Sequence, residues 1–341
     1  MTKISYADLG WTAHFARLAS ADTVHPLRIA EVHRSSVTAL APDGHRTLRA
    51  PTGTGTLAVG DWVTASGDAV TNVFDRQSLL KRRAAGAEAR EQLIAANVTT
   101  LGIVSSCNAD FNERRLERYL VLAADAGCLP LVILTRADQS DDADAYVRRA
   151  ERLSPLLTAL AIDATDPLEV RWLYPWCRAG DTLALVGSSG VGKTTIRNAL
   201  TGEDAATRGI REDDAKGRHT TTSRALVQTL AGGWLIDTPG MRALRLADVA
   251  DGIDAVFADI EDLAAHCRFS DCAHDTEPGC AIQAAVSEGE LDEDRYRRWR
   301  KLKAEDLRNS ESIAQARARD KGFGKMIKGV MARKWMERGE D

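Results

Sequence analysis

The stretch Leu183-Ala-Leu-Val-Gly187-Ser188-Ser189-Gly190-Val191-Gly192-Lys193-Thr194-Thr195 constrains this chain more than any other, because an apolar run enters a loop with the spacing G-x-x-x-x-G-K-[ST]. Such a loop turns backbone N–H groups onto phosphate oxygens. A lysine neutralises the β and γ phosphates, and a hydroxyl ligates Mg²⁺. The pattern predicts a buried strand, a phosphate-binding loop and a helix through Leu200 that stops at Gly202; the helix adds its N-terminal dipole to the site. A purine nucleoside triphosphate is the expected ligand.

Two later segments fit a sensor of the γ-phosphate. Arg224 to Leu230 and Trp234 to Asp237 are apolar-alternating runs around Ala231-Gly232-Gly233, which predicts an antiparallel hairpin ending in Asp237-Thr-Pro-Gly240. Asp237 is suited to hold Mg²⁺ through water, and the Gly240 amide to reach the γ-phosphate. Upstream, Gly217-Arg-His219-Thr220-Thr221-Thr222 is polar and irregular. From it Thr221 is expected to complete the Mg²⁺ shell.

The base-reading motif comes before the phosphate loop, not after it. Leu129 to Leu134 reads as a buried strand ending in Thr135-Arg136-Ala137-Asp138, a variant of Asn-Lys-x-Asp. Asp138 can accept from guanine donors that adenine lacks. A second apolar run ends at Asp163-Ala164, where a backbone contact to the base is expected. The motif order is therefore rotated, as a closed α/β core allows when the chain is cut in one surface loop and its old termini are joined.

With 341 residues, 44% of them hydrophobic and 28% charged, the chain has material for two or three soluble domains. No long apolar run suggests export or a membrane span, so a cytoplasmic monomer is expected. The net charge of −4 argues against a uniform nucleic-acid coat. Residues 27–80 carry short β-rich runs (Leu27 to Val32, Thr56 to Val59, Trp62 to Ala65, Ala69 to Phe74) between turn residues, a pattern for a small oligonucleotide-binding barrel. Lys81-Arg-Arg83 opens a polar linker to about Gln92. A helix capped by Asn112 follows, with Arg114, Arg115 and Arg118 on its solvated face.

Cys267, Cys272, His274 and Cys280 lie within one short segment, whereas Cys107, Cys128 and Cys177 are scattered in apolar surroundings. Three thiols and an imidazole make a closed tetrahedral Zn²⁺ set. The remainder is helical and basic, from Arg295, Arg297, Arg298, Arg300, Lys301 and Lys303 to Lys321, Lys325, Lys328, Arg333 and Lys334. Beside a zinc module and a barrel, such a stretch suits structured RNA.

In combination these motifs resemble the circularly permuted, ribosome small-subunit-dependent GTPases of the RsgA family. The residues carrying the resemblance are Ala95-Ala-Asn-Val98, Asn112 with Arg114-Arg-Leu-Glu-Arg-Tyr119, Gly187 to Thr195, Gly217 to Thr222, Asp237 to Gly240 and the Cys/His set. The resemblance implies a multidomain protein: an N-terminal β-barrel of the oligonucleotide-binding type over 1–85, a central α/β circularly permuted P-loop GTPase domain over 86–250, and a C-terminal zinc-binding and helical domain over 251–341. It also implies a late assembly factor that binds the small ribosomal subunit and its rRNA and leaves after hydrolysing GTP. Met241 stands where many GTPases place a water-positioning Gln. His219 is the nearest polar residue for that role and the one the resemblance points to, with Lys193 neutralising phosphate charge. Thr135, Arg136 and Asp163 depart from the usual pattern, all in base recognition. An ATPase or small-molecule kinase on the same loop, and an RNA-binding protein holding nucleotide as a structural ligand, are the alternative readings.

Overall fold

The computed structural model describes residues 4–19, 25–83, 91–155, 157–203, 224–238 and 246–310. Near the N-terminus, β1 (Leu27–Val32), β2 (Ser36–Ala41), β3 (Gly44–Arg49), β4 (Trp62–Ser66) and β5 (Ala69–Val73) close into a five-stranded barrel in the order β1-β2-β3-β5-β4. Alternate residues turn inward, as a strand's two-residue period requires. Leu27, Ile29, Val37, Ala39, Leu48 and Val63 are buried together. The sequence pattern did not mark β2 and β3 as strands. In β3 only Leu48 is buried, so its alternation carries little signal. Thr56 to Val59, expected as a strand, is instead connecting chain leading into β4, with Leu57, Ala58 and Val59 buried.

The helix α1 (Ala13–Leu18) and Trp11 cap the barrel. Trp11 stacks edge-on against Trp62 at 4.8 Å and Phe74 at 5.2 Å, and Phe15 is fully buried beside them. Arg28 of β1 is buried, and its guanidinium donates to Leu9 O at 2.5 Å, Asn97 O at 3.3 Å and Thr182 Oγ1 at 2.8 Å. One side chain thus joins the barrel to three segments outside it.

The supposed linker is in part structured. β6 (Leu79–Arg83) pairs antiparallel with β7 (Glu91–Ala96), Leu79 opposite Ala96. Gly60, at φ +94°, lets the barrel approach this ribbon: a Cβ there would meet Ala96 O at 2.1 Å.

The central sheet contains β8 (Thr100–Ser106), β9 (Leu129–Thr135), β10 (Thr158–Ala161), β11 (Thr182–Gly187), β12 (Leu226–Gln228) and β13 (Trp234–Asp237). Their order is β10-β9-β8-β11-β13-β12, all parallel except β12, which forms the expected hairpin with β13. Every residue of β8 and β11 is buried, as befits parallel strands covered on both faces. Around the sheet lie α2 (Glu113–Ala126), α3 (Ala143–Glu151), α4 (Pro167–Val170) and α5 (Lys193–Thr201). Asn112 caps α2 by accepting from Arg115 N at 3.1 Å, and Gly127 ends it at φ +72°. The strand bearing the base motif, β9, precedes the phosphate-loop strand β11 in the chain yet ends beside it in space, which is the rotation read from the motif order.

The C-terminal part consists of α6 (Ala250–Val256), α7 (Ala258–Ala264), α8 (Ala281–Glu288) and α9 (residues 293–310). The basic residues of α9 do not form one free cationic face. Arg298 shares its Nε–H between the two carboxylate oxygens of Glu117 of α2, at 2.9 and 2.8 Å. Arg295 pairs with Asp259, Arg300 with Asp275 and Lys303 with Glu261. Much of the positive charge read as phosphate-seeking therefore fastens α9 to its neighbours. Residues 321–334, the rest of the predicted basic run, lie outside the described residues.

Candidate functional site

β11 ends at Gly187, whose φ of +143° and a would-be Cβ contact of 2.2 Å with Val104 O leave room only for glycine. The loop then passes Ser188, Ser189, Gly190, Val191 and Gly192 into α5, which begins at Lys193 and carries Thr194 and Thr195 in its first turn. Gly192 takes φ +99° and ends α5's N-terminal side, and Gly202 ends the helix at φ +70°. Lys193 Nζ donates to the loop carbonyls of Gly187, at 2.9 Å, and Ser188. Its charge is thus kept over the loop where phosphate oxygens would lie.

The end of β9 comes to this loop. Thr135 is 1% exposed, and its hydroxyl lies 2.8 Å from Val191 O and 3.1 Å from Ser105 O. The shorter side chain at the Asn position thus ties the base-recognition strand to the phosphate loop. Arg136 adopts φ +60° and reaches Gly190 O at 3.2 Å, so its guanidinium lies along the loop. Ala137 N donates to Ile162 O, and Asp138 sits in the following tight turn with its side chain exposed. Asp163 is engaged locally: its carboxylate accepts from the Thr165 hydroxyl and N–H, which holds it below the usual carboxylate range. It stands beside Ala164 as a turn former, its own N–H bound to Glu169 at 2.6 Å.

On the other side, β13 places Asp237 opposite Leu185 of β11. Burial pushes the Asp237 carboxyl up, while Arg197 and Lys193 oppose that rise. Thr238 is fully buried and its hydroxyl donates to Leu185 O at 2.6 Å, which fixes the start of the Asp-x-x-Gly turn against the loop strand. His219, Thr221, Gly240 and Met241 lie outside the described residues.

Two residues here were not foreseen. Arg115, read as solvated, donates to Ser188 Oγ at 2.5 Å and to Asp110, bracing the loop from α2. Arg118 forks onto Glu305 of α9 at 2.6 and 2.8 Å. Helical periodicity places both off the apolar stripe but says nothing of what lies across from them in space.

The second site is the Cys/His segment. The donor atoms of Cys267, Cys272, His274 and Cys280 all lie within 4.8 Å of one another. Cys267 Sγ is 3.4 Å from His274 Nδ1 and 3.9 Å from Cys280 Sγ, and Cys280 Sγ is 3.7 Å from that nitrogen. A tetrahedral ion with Zn–S of about 2.3 Å and Zn–N of about 2.0 Å spaces its ligands at roughly 3.4 to 3.8 Å. The four side chains therefore fit one such ion. His274 holds φ +59°, and Tyr296 and Gln283 donate to its carbonyl, which points Nδ1 at the thiols.

Residues 73–247 match the family described as RsgA GTPase. The chain is 48% identical over 316 residues to the small ribosomal subunit biogenesis GTPase RsgA of Mesorhizobium japonicum, covering 90% of this chain and 91% of that one. It is 44% identical over 331 residues to small ribosomal subunit biogenesis GTPase RsgA 2 of Vibrio parahaemolyticus, covering 96% and 92%. Its fold is similar to that of YjeQ from Thermotoga maritima, with a TM-score of 0.61 and 24% identity over 83% of this chain and 98% of that chain. It is also similar to YloQ, a circularly permuted GTPase, with a TM-score of 0.57 and 21% identity over 88% and 98%.

Proposed function

The chain belongs to the RsgA GTPase family, and we infer from that membership that it hydrolyses GTP in the biogenesis of the small ribosomal subunit. The observation that carries the reading is convergence: the base-motif strand, the phosphate loop and the Asp237 turn all meet at one end of the sheet, with Thr135 and Thr238 tying the outer two to the loop and its strand.

In this reading the backbone of Gly187, Ser188, Ser189, Gly190, Val191 and Gly192 cradles the phosphates, and Lys193 with the start of α5, Thr194 and Thr195, stabilises charge on them. Thr194, with Asp237 through water and Thr221 as a further ligand, would hold Mg²⁺, which would supply neutralisation of the phosphate charge. Asp138 reads guanine, Arg136 lies against the base, Ala137 and Thr135 shape the pocket, and Gly240 senses the γ-phosphate. His219 orients the attacking water, since the thioether of Met241 is at best a weak acceptor. His219→Ala is expected to keep GTP binding and lose subunit-stimulated turnover, read as phosphate release.

We place three units at 1–85, 86–250 and 251–341, with one Zn²⁺ on Cys267, Cys272, His274 and Cys280. Among the described residues no helix is long and apolar enough to cross a membrane; we take the protein to act as a cytoplasmic monomer on the small subunit and its rRNA. The deciding experiment compares GTP and ATP hydrolysis with and without purified small subunits at fixed salt. Strong stimulation confined to GTP supports the reading. Equal use of ATP, or no stimulation, defeats it.

A further inference from the structure

A cavity of about 160 Å³ opens where α2 meets α9, lined by Arg114, Arg118, Arg297, Arg298, Lys301 and Glu117, with Leu302 as its apolar wall. Five cations face one carboxylate, in a chain whose net charge is −4. Three of these cations have carboxylate partners, and the other two carry the cavity's unpaired charge among the described residues. Glu117 is fully buried and already accepts from Arg298 Nε through both oxygens, with Arg295 at 3.5 Å on the same carboxylate. Arg118 holds Glu305. Arg297 has only exposed partners one turn away, Glu293 and Asp294, and such pairs hold weakly in water. Among the described residues Arg114 and Lys301 form no ion pair, yet they stand on two different helices across the same cavity.

We propose that this cavity binds a backbone phosphate of RNA, with Arg114 and Lys301 as its two principal contacts. Donors that approach one space from two elements, beside alkyl stems and a leucine, suit a phosphodiester: its charged oxygens meet the cations while its ribose lies on the apolar wall. The ion pairs behind the cavity hold the two helices at a fixed separation, so the contact is prepared before the ligand arrives. Its position also matters. Arg114 is next in sequence to Arg115, which braces Ser188 of the phosphate loop, so the first turn of α2 contributes a side chain to each, the cavity and the loop. The proposal rests on the reading of the chain as a small-subunit GTPase and names where one rRNA phosphate is held.

The test uses the full chain and the double variant Arg114→Gln with Lys301→Gln, both of which remove charge from side chains that form no ion pair among the described residues. Matching melting curves and metal content establish that the variant is folded. Binding to small subunits, and to a labelled single-stranded RNA oligonucleotide, is measured across a salt series. The variant should bind more weakly by the same factor for every RNA sequence, and its slope of log affinity against log salt should fall by about 1. Unchanged affinity and slope toward RNA overturn the proposal. Displacement of the oligonucleotide by polyglutamate as effective as by unlabelled RNA also overturns it, in favour of an acidic protein segment. Wild-type protein whose RNA binding depends on the pair, but whose GTP hydrolysis ignores subunits, would keep the cavity and refute the assembly reading.

Discussion

Thr135 occupies the position where a guanine motif ordinarily has Asn, and its hydroxyl hydrogen-bonds within the protein: it reaches Val191 O of the phosphate loop and Ser105 O at the end of β8. A methyl of Thr135 lies so close to Gly192 that a Cβ there would meet it at 3.1 Å. The residue is therefore packed under the loop and bonded to it. Thr135→Val keeps the shape and removes the donor. It should cost about 1 kcal/mol of loop order, roughly fivefold in nucleotide affinity, with little change in melting temperature. Titration with a fluorescent GDP analogue checks this, and equal affinity would show that the tie does not shape the loop. From the sequence, Thr135 reads only as a departure, because the partner of a hydroxyl is set by what the fold brings near it. The glycines and Lys193 were legible because their role is dictated by backbone conformation and charge at fixed spacing. Arg115 was not, since its partner Ser188 is 73 residues away.

Between α7 and α8 the chain is held by the ligand set and by hydrogen bonds, among them Glu277 accepting from the N–H groups of Ala273, Asp275 and Thr276. Of residues 265–280 only Cys280 is buried, so hydrophobic burial contributes little, and a bound metal is expected to supply much of the order of such a segment. One Zn²⁺ per chain is the expected result of elemental analysis. Removing it with a chelator should open residues 265–280 to protease while the barrel and central sheet stay resistant, with cleavage sites read by mass spectrometry. An unaltered cleavage pattern would mean that Tyr296 and Gln283, which donate to His274 O, suffice to order the segment. The segment was legible in the sequence because three thiols and an imidazole at such close spacing are the donor set of a metal site. The β6 and β7 ribbon was not. Its Lys81-Arg-Arg83 and Glu91-Gln92 read as linker, and strand pairing supplies the order that composition withholds.

Across the whole molecule, the parts flanking the central sheet grip its nucleotide strand near both ends. Arg28 of the barrel donates to Thr182 at the start of β11, and Arg115 of α2 donates to Ser188 just beyond its end. The next turn of α2 carries Glu117 and Arg118, which bind Arg298 and Glu305 of α9. The C-terminal part is thereby joined to the phosphate loop through one helix, a connection invisible in the sequence, where α9 reads as a run of free cations. The joint has a pH signature. Burial pushes the Glu117 carboxyl up to about 7 from an ordinary 4.5, even though Arg298 and Arg295 pull the other way. Between those values the folded chain holds a proton that the unfolded chain has released. The Glu117 contribution to stability is therefore fully present below about pH 4.5 and is lost as pH rises toward about 7, at a slope of at most about 1.4 kcal/mol per pH unit. Glu117→Gln cannot titrate. Near pH 5, where the folded Glu117 holds its proton, the neutral amide stands in for the neutral acid and the two melting temperatures should lie close together. As pH rises toward 8 the wild type loses stability and the variant does not, so Glu117→Gln should come to melt above the wild type. Calorimetric melts of both proteins over that range read the difference directly. A variant that melts below the wild type by the same margin at every pH would mean that Glu117 is ionised throughout and that the α2–α9 joint is a permanently charged pair.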